Sequence, residues 1–205
     1  LFVEDCIIQN FKVKEGGCIL KAYQTSFADT IQITNSLIQD SFRGISLADE
    51  KEDKGNYNAE YVILKNTVFK NIEQWAIDSY RGGNDESTLG GFLIIDHCIF
   101  DNVNDNENHW MLKHVGLVHC TITNSVFCNA PLVKAPIRLM GKYHSMNNCC
   151  IYNAGKQTVV AGAKMDEIIY VNPKFKKKSN YELAEGSPLL GKATNGGNIG
   201  LTNIK

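Results

Sequence analysis

Five polar residues, Lys21, Ser46, Asp78, Lys113 and Lys134, each follow an apolar one in a recurring strand-like context, namely Leu20, Ile45, Ile77, Leu112 and Val133. If those contexts stack, the five residues form a column on one outer face, with neighbours about 5 Å apart. Asp78 and Lys113 are then close enough to pair. Lys134 would press on the proton affinity of Lys113, because a nearby cation disfavours a second ammonium. A lysine so placed is suited to accepting a proton. The plain alternative is a solvated ladder of Lys and Asp, which contributes little.

Two insertions border this column. Residues 48 to 60 are a charged stretch without apolar periodicity, and residues 80 to 91 are rich in glycine and contain Arg81, Asp85 and Glu86. Loops extended on one face of a repeat protein commonly build its binding groove. Arg81 could clamp Asp85 or Glu86 to hold a surface turn, or face an anionic sugar. Asp85 and Glu86 could instead give oxygen ligands to calcium. Trp75 and Trp110 precede the same strand in adjacent copies, with Tyr80 beyond them. They read either as packing or as a platform for sugar rings.

These residues are positioned by a repeat. Registered on Asp5, Asn35, Asn66, His97, Asn124 and Asn148, six copies follow one another at intervals of 24 to 31 residues, and each closes five residues later with Asn10, Asp40, Asn71, Asn102, Asn129 or Asn153. Two before the anchor the residue is apolar (Val3, Ile33, Leu64, Ile95, Ile122, Met146), and directly after it the residue is small (Cys6, Ser36, Thr67, Cys98, Ser125, Cys149). Inward and outward positions alternate with period two, as in strands. The copies are too short for propeller blades and lack the 3.6-residue spacing of helical repeats. They predict an all-β chain, a right-handed parallel β-helix of six to seven coils. Asn recurs because it tolerates left-handed backbone and can bond the Asn one coil away. By the same logic His97 is a turn residue.

Net charge of −1 gives no reason to expect a nucleic-acid partner, and no stretch reaches the length of a transmembrane helix. Seven cysteines could suggest a disulfide scaffold, yet Cys6, Cys98 and Cys149 share a column with Ser and Thr and read as small core residues. Neither Cys-x-x-Cys pairs nor zinc spacing occurs. Leu1 already lies inside a coil, so an additional N-terminal segment or another chain is expected to cover that end. The expected organisation is a β-helix over 1–165 and an irregular C-terminal tail or cap over 166–205, the latter carrying a basic patch at Lys174, Lys176, Lys177 and Lys178.

The Asn-closed coils, the run Tyr80-Arg81-Gly82-Gly83-Asn84-Asp85-Glu86-Ser87-Thr88, and the C-terminal Asn172-Pro173-Lys174-Phe175, Gly186-Ser187-Pro188-Leu189 and Asn198-Ile199-Gly200 together resemble exported β-helix proteins of Bacteroides-type bacteria. These are related to the chondroitinase-B and alginate-lyase group, polysaccharide lyase family six. The resemblance implies a secreted, periplasmic or cell-surface protein that acts on an acidic, uronate-containing polysaccharide by β-elimination. It implies a Lys base, an Arg near the leaving oxygen, and calcium against the uronate carboxylate. Carried onto this chain, Lys113 matches the base, Lys134 its neighbouring cation, and Arg81 or Arg138 the second cationic group. Asp78, Tyr80, Trp110, Arg138 and His114 would line the substrate, and Asp85 and Glu86 would meet calcium. His114 is a further base candidate, although strand parity points it inward. The chain departs from the family pattern in lacking a Lys-Ser pair, since Lys113 precedes His114 and Lys134 precedes Ala135. The competing expectation is a non-catalytic glycan-binding or surface structural protein.

Overall fold

The computed structural model describes residues 1–14, 17–23, 26–47, 58–80, 91–105, 110–117, 119–140, 143–156, 159–160, 163–177 and 180–202. Its described elements are all strands, and every pairing between strands is parallel. No helix among them is long and apolar enough to cross a membrane. Both columns of turn residues adopt left-handed backbone, from Asp5 at φ 52° through Asn35, Asn66, His97, Asn124 and Asn148, and from Asn10 at φ 70° through Asp40, Asn71, Asn102, Asn129 and Asn153. A left-handed residue at the same point of every copy turns each strand into the next, which makes the chain a β-helix solenoid. Glu167, at φ 50°, occupies the next anchor; its side-chain type hides it from a search for Asn, and the strand Ala163–Ile169 continues the stack a few residues into the stretch expected to be irregular tail.

The turns are tied coil to coil by side-chain amides. Asn66 Nδ2 donates to Asn35 Oδ1, Asn71 Nδ2 to Asp40 Oδ1, and Asn102 Nδ2 to Asn71 Oδ1, each at 2.9 Å. Small size is only half the reason for the column that follows the anchor. Ser125 Oγ donates to the carbonyl of Thr123 at 2.7 Å and accepts the Cys98 N–H at 3.0 Å; Ser36 Oγ does the same with Thr34 at 2.7 Å and Cys6 at 3.2 Å. The left-handed turn interrupts the backbone ladder here, and a hydroxyl or thiol restores it. Ser, Thr and Cys share the column because each supplies one donor and one acceptor.

The first two strands of each coil belong to one sheet of twelve strands, and the third to a sheet of six. Between them the inward columns are dry: Ile33, Leu64, Ile95 and Ile122 stack on one side, and Phe69, Phe100 and Phe127 on another, with ring centroids 5.1 and 4.5 Å apart and almost parallel planes. The strand Ala59–Lys65 begins inside the stretch expected to be loop, with Asn58 Nδ2 donating to the Ser26 carbonyl at 2.9 Å.

Beyond Ile169 the chain leaves the stack and lies back along its outside. Phe175, Tyr181, Leu183, Leu189, Ile199 and Leu201 pack on the outer apolar column Val68, Ile99, Val126 and Cys150. Tyr181 donates its hydroxyl to Asp101 Oδ2 at 2.7 Å, Gly200 N–H bonds the Asn124 carbonyl at 2.8 Å, and Thr202 N–H reaches Asn66 Oδ1 at 2.8 Å.

Candidate functional site

The six-stranded sheet sets the polar column by register. Lys21 pairs with Ser46, Ser46 with Asp78, Asp78 with Lys113, and Lys113 with Arg138. The neighbour of Lys113 is therefore Arg138, not Lys134, and the inward residue beside Leu112 is Ile137, not Val133. The difference has a local cause. After Ala130 the chain makes a turn closed by the Val133 N–H on the Ala130 carbonyl at 3.3 Å, and only then starts the strand Ala135–Met140. An apolar-then-basic pair, Val133-Lys134, imitates the strand pattern from within that turn.

Lys113 Nζ lies 3.0 Å from Asp78 Oδ1, with the Asp78 side chain almost buried and Lys113 about a quarter exposed. Lys134 reaches the same place from the turn. Its Nζ stands 5.5 Å from the centre of the Trp110 ring, and the Arg138 guanidinium stands 4.5 Å from that centre. Arg138 also donates from Nη2 to Met140 Sδ at 3.3 Å. One coil away, the Arg43 guanidinium is 4.6 Å from the Trp75 ring, with its Nε bonded to Gln74 Oε1 at 2.6 Å. Cations over indole faces are each worth roughly 0.5–2 kcal/mol. Both tryptophans are thus engaged by cations. Arg43 escaped the sequence argument, although it stands two residues before Ile45, as Trp75 stands before Ile77 and Trp110 before Leu112.

Arg81, Asp85 and Glu86 lie outside the described residues. Tyr80 ends the strand Ile77–Tyr80, paired with Val115, and its side chain also lies outside them. Among the described residues there is no group of three or more His, Cys, Asp and Glu side chains that could hold a metal ion.

His114 does not belong to this face. It is 2% exposed and points into the solenoid, away from Lys113. Burial, helped by the neighbouring His144, pushes its pKa down to about 3, with the His119 carbonyl working weakly the other way. A neutral, enclosed imidazole cannot serve a polymer on the outside.

A second outer feature was legible only by column. Five residues before successive anchors stand Tyr61, Phe92, His119 and Tyr143, and their rings stack at 4.9, 4.7 and 5.0 Å with planes within 19° of parallel. Each inner ring face is covered by the next ring, so the ladder presents edges rather than faces to solvent. It holds neighbouring coils in register, as cross-strand aromatic pairs do.

The chain matches no protein-family model, and no curated protein matches it.

Proposed function

We propose that the outer face of the six-stranded sheet binds an acidic, uronate-containing polysaccharide. The observation that carries this is the convergence of Lys113, Arg138 and Lys134 around Trp110, with Asp78 the carboxylate paired to them among the described residues. Three cations against one anion leave positive charge at one place on a chain whose formal net charge is −1. A polyanion with carboxylates at regular intervals complements such a spot, and a guanidinium suits planar carboxylate recognition. The strands Ile45–Leu47 and Ile77–Tyr80, which lead toward the two insertions, are neighbours in this same sheet. The resemblance supports the same ligand class, an exported or cell-surface location, and a right-handed solenoid of six to seven coils.

A second reading is cleavage of that polymer by β-elimination, favoured by the register that sets Arg138 beside Lys113. Arg138 would neutralise the uronate carboxylate, making the adjacent carbon acid stronger. Lys113, released from Asp78, would take the proton; the electron pair would form the new double bond, and the glycosidic oxygen would depart with a proton from solvent. Binding ranks above cleavage because Lys113 Nζ is already engaged by Asp78 at 3.0 Å, whereas a base must be free to reach the proton of the substrate.

The test is ultraviolet absorbance of the unsaturated uronate during incubation with alginate, chondroitin, dermatan and pectate, with and without calcium, alongside gel retardation on the same polymers. Retardation with a flat trace supports binding alone; a rising trace supports the lyase. No retardation and no rise with any polymer would overturn both.

A further inference from the structure

Behind the outer ion pair, the interior of the solenoid is polar. Ser79 and His114 follow Asp78 and Lys113 in their strands, pair in register, and are each 2% exposed. Neither the Ser79 hydroxyl nor either ring nitrogen of His114 makes a hydrogen bond of ordinary length within the protein, the His119 carbonyl being no more than a weak, distant influence on the ring. Both residues line a cavity between the two sheets, together with Asn58, and the cavity is just large enough for one water molecule. Leu47, Ala59, Val62 and Phe92 supply apolar lining, and Leu117 packs over Gly91 beside them. Gly91 has φ +85°, and a Cβ there would come within 2.4 Å of Leu117 Cδ2, so the absence of a side chain is what lets Leu117 pack there.

The cavity admits few occupants. It is too small for any organic substrate, which removes a Ser-His nucleophile acting on one. A metal finds no third ligand: no suitable group of His, Cys, Asp or Glu exists among the described residues. Left alone, a buried hydroxyl and imidazole would each cost roughly 1–3 kcal/mol. An apolar void stays dry, but one with two or more polar walls holds water.

We propose that this cavity is an internal water site, in which one water molecule accepts the Ser79 O–H and donates to the unprotonated ring nitrogen of His114, with Asn58 as its third polar wall. The neutral imidazole has one such acceptor nitrogen. The site pins the strands Ile77–Tyr80 and Trp110–Val115 together from inside, at the corner where both insertions begin, while Asp78 and Lys113 pin the same strands from outside.

A high-resolution crystal structure at neutral pH should show a solvent peak about 2.6–3.2 Å from Ser79 Oγ and from one His114 nitrogen. In solution, a water-to-protein nuclear Overhauser contact to the side chain of Ser79 or His114 should be present in the wild type. It should be lost in Ser79→Val, whose methyl groups fill the space. Ser79→Ala gives the same comparison if the larger residue disturbs folding; its contact should weaken or vanish. A well-ordered Ser79 and His114 with no solvent peak between them, or an Overhauser contact unchanged in both variants, would overturn the site.

Discussion

Lys113 Nζ and Asp78 Oδ1 meet at 3.0 Å across two adjacent coils, on a sheet that otherwise brings cations together. The Asp78 side chain is the more deeply buried partner. Removing Lys113 therefore leaves a carboxylate poorly solvated, while removing Asp78 leaves an ammonium that water can reach. Lys113→Ala should lower stability by about 1–3 kcal/mol, and Asp78→Asn by less. In polysaccharide binding the two should diverge: Asp78→Asn strengthens retention on a uronate polymer and Lys113→Ala weakens it. Equal retention by both variants would remove the ion pair from the binding face.

Arg138 and Lys134 flank Trp110 and supply charge from two different elements. Arg138→Gln should weaken retention on alginate or pectate by about fivefold to tenfold, the equivalent of roughly 1–1.4 kcal/mol, and reduce its sensitivity to salt. Affinity electrophoresis at two ionic strengths reads both effects. Lys21→Gln, farther down the column, is the control and should change retention little.

Ser125 restores the ladder at a left-handed turn by donating to Thr123 and accepting from Cys98. Ser125→Ala removes both bonds inside a fully buried column and should cost about 1–3 kcal/mol. Ser125→Cys should cost clearly less, because Cys98 and Cys149 already occupy the equivalent positions. Urea unfolding midpoints at unchanged slope provide the comparison.

Asn71 combines φ 51° with an amide bonded to Asp40 and an oxygen bonded by Asn102. Asn71→Gly loses the amide but keeps the backbone comfortable. Asn71→Ala loses both and should be less stable than the glycine variant by about 1 kcal/mol. Reversal of that order in thermal unfolding would mean that the left-handed backbone is not what disfavours alanine here.

Acid should destabilise the fold in two windows. His114, held down to about 3 by burial and His144, is neutral when folded, as is His144, whose pKa burial also lowers. The unfolded chain takes up these protons first, so stability falls as pH drops below about 6.5 and continues to fall toward pH 3. For His114 the limit is on the order of 5 kcal/mol. Burial alone would raise Asp96, but bonds from His97, Thr123 and Asn124 outweigh it and hold its carboxyl at about 2, adding a second loss as pH falls from about 3.8 toward that value. His114→Gln should flatten the upper window and leave the lower one. Melting temperatures between pH 7 and pH 3 measure both.

How much of this was legible depends on what repetition can reveal. The two columns of Asn, Asp and His could be read directly because left-handed backbone admits few residue types and every coil needs one at the same place. The inward apolar columns and the small Ser, Thr and Cys column followed from the same alignment. The aromatic ladder was equally readable, five residues before the anchors, and Arg43 could have been found by its offset from Ile45.

Tertiary structure alone decided the rest. Arg138 displaced Lys134 from the column because a turn precedes the strand Ala135–Met140, and the sequence of that turn mimics the strand pattern; only backbone pairing tells the two apart. The same structure brought Lys134 back beside Trp110 through space. It also put His114 behind Lys113 with Ser79, around a cavity that no local pattern announces. Periodicity determines which residues share an environment, because stacked coils repeat one backbone. What meets at the ends of strands of unequal length depends on contacts between residues distant in sequence, and these exist only once the chain has closed on itself.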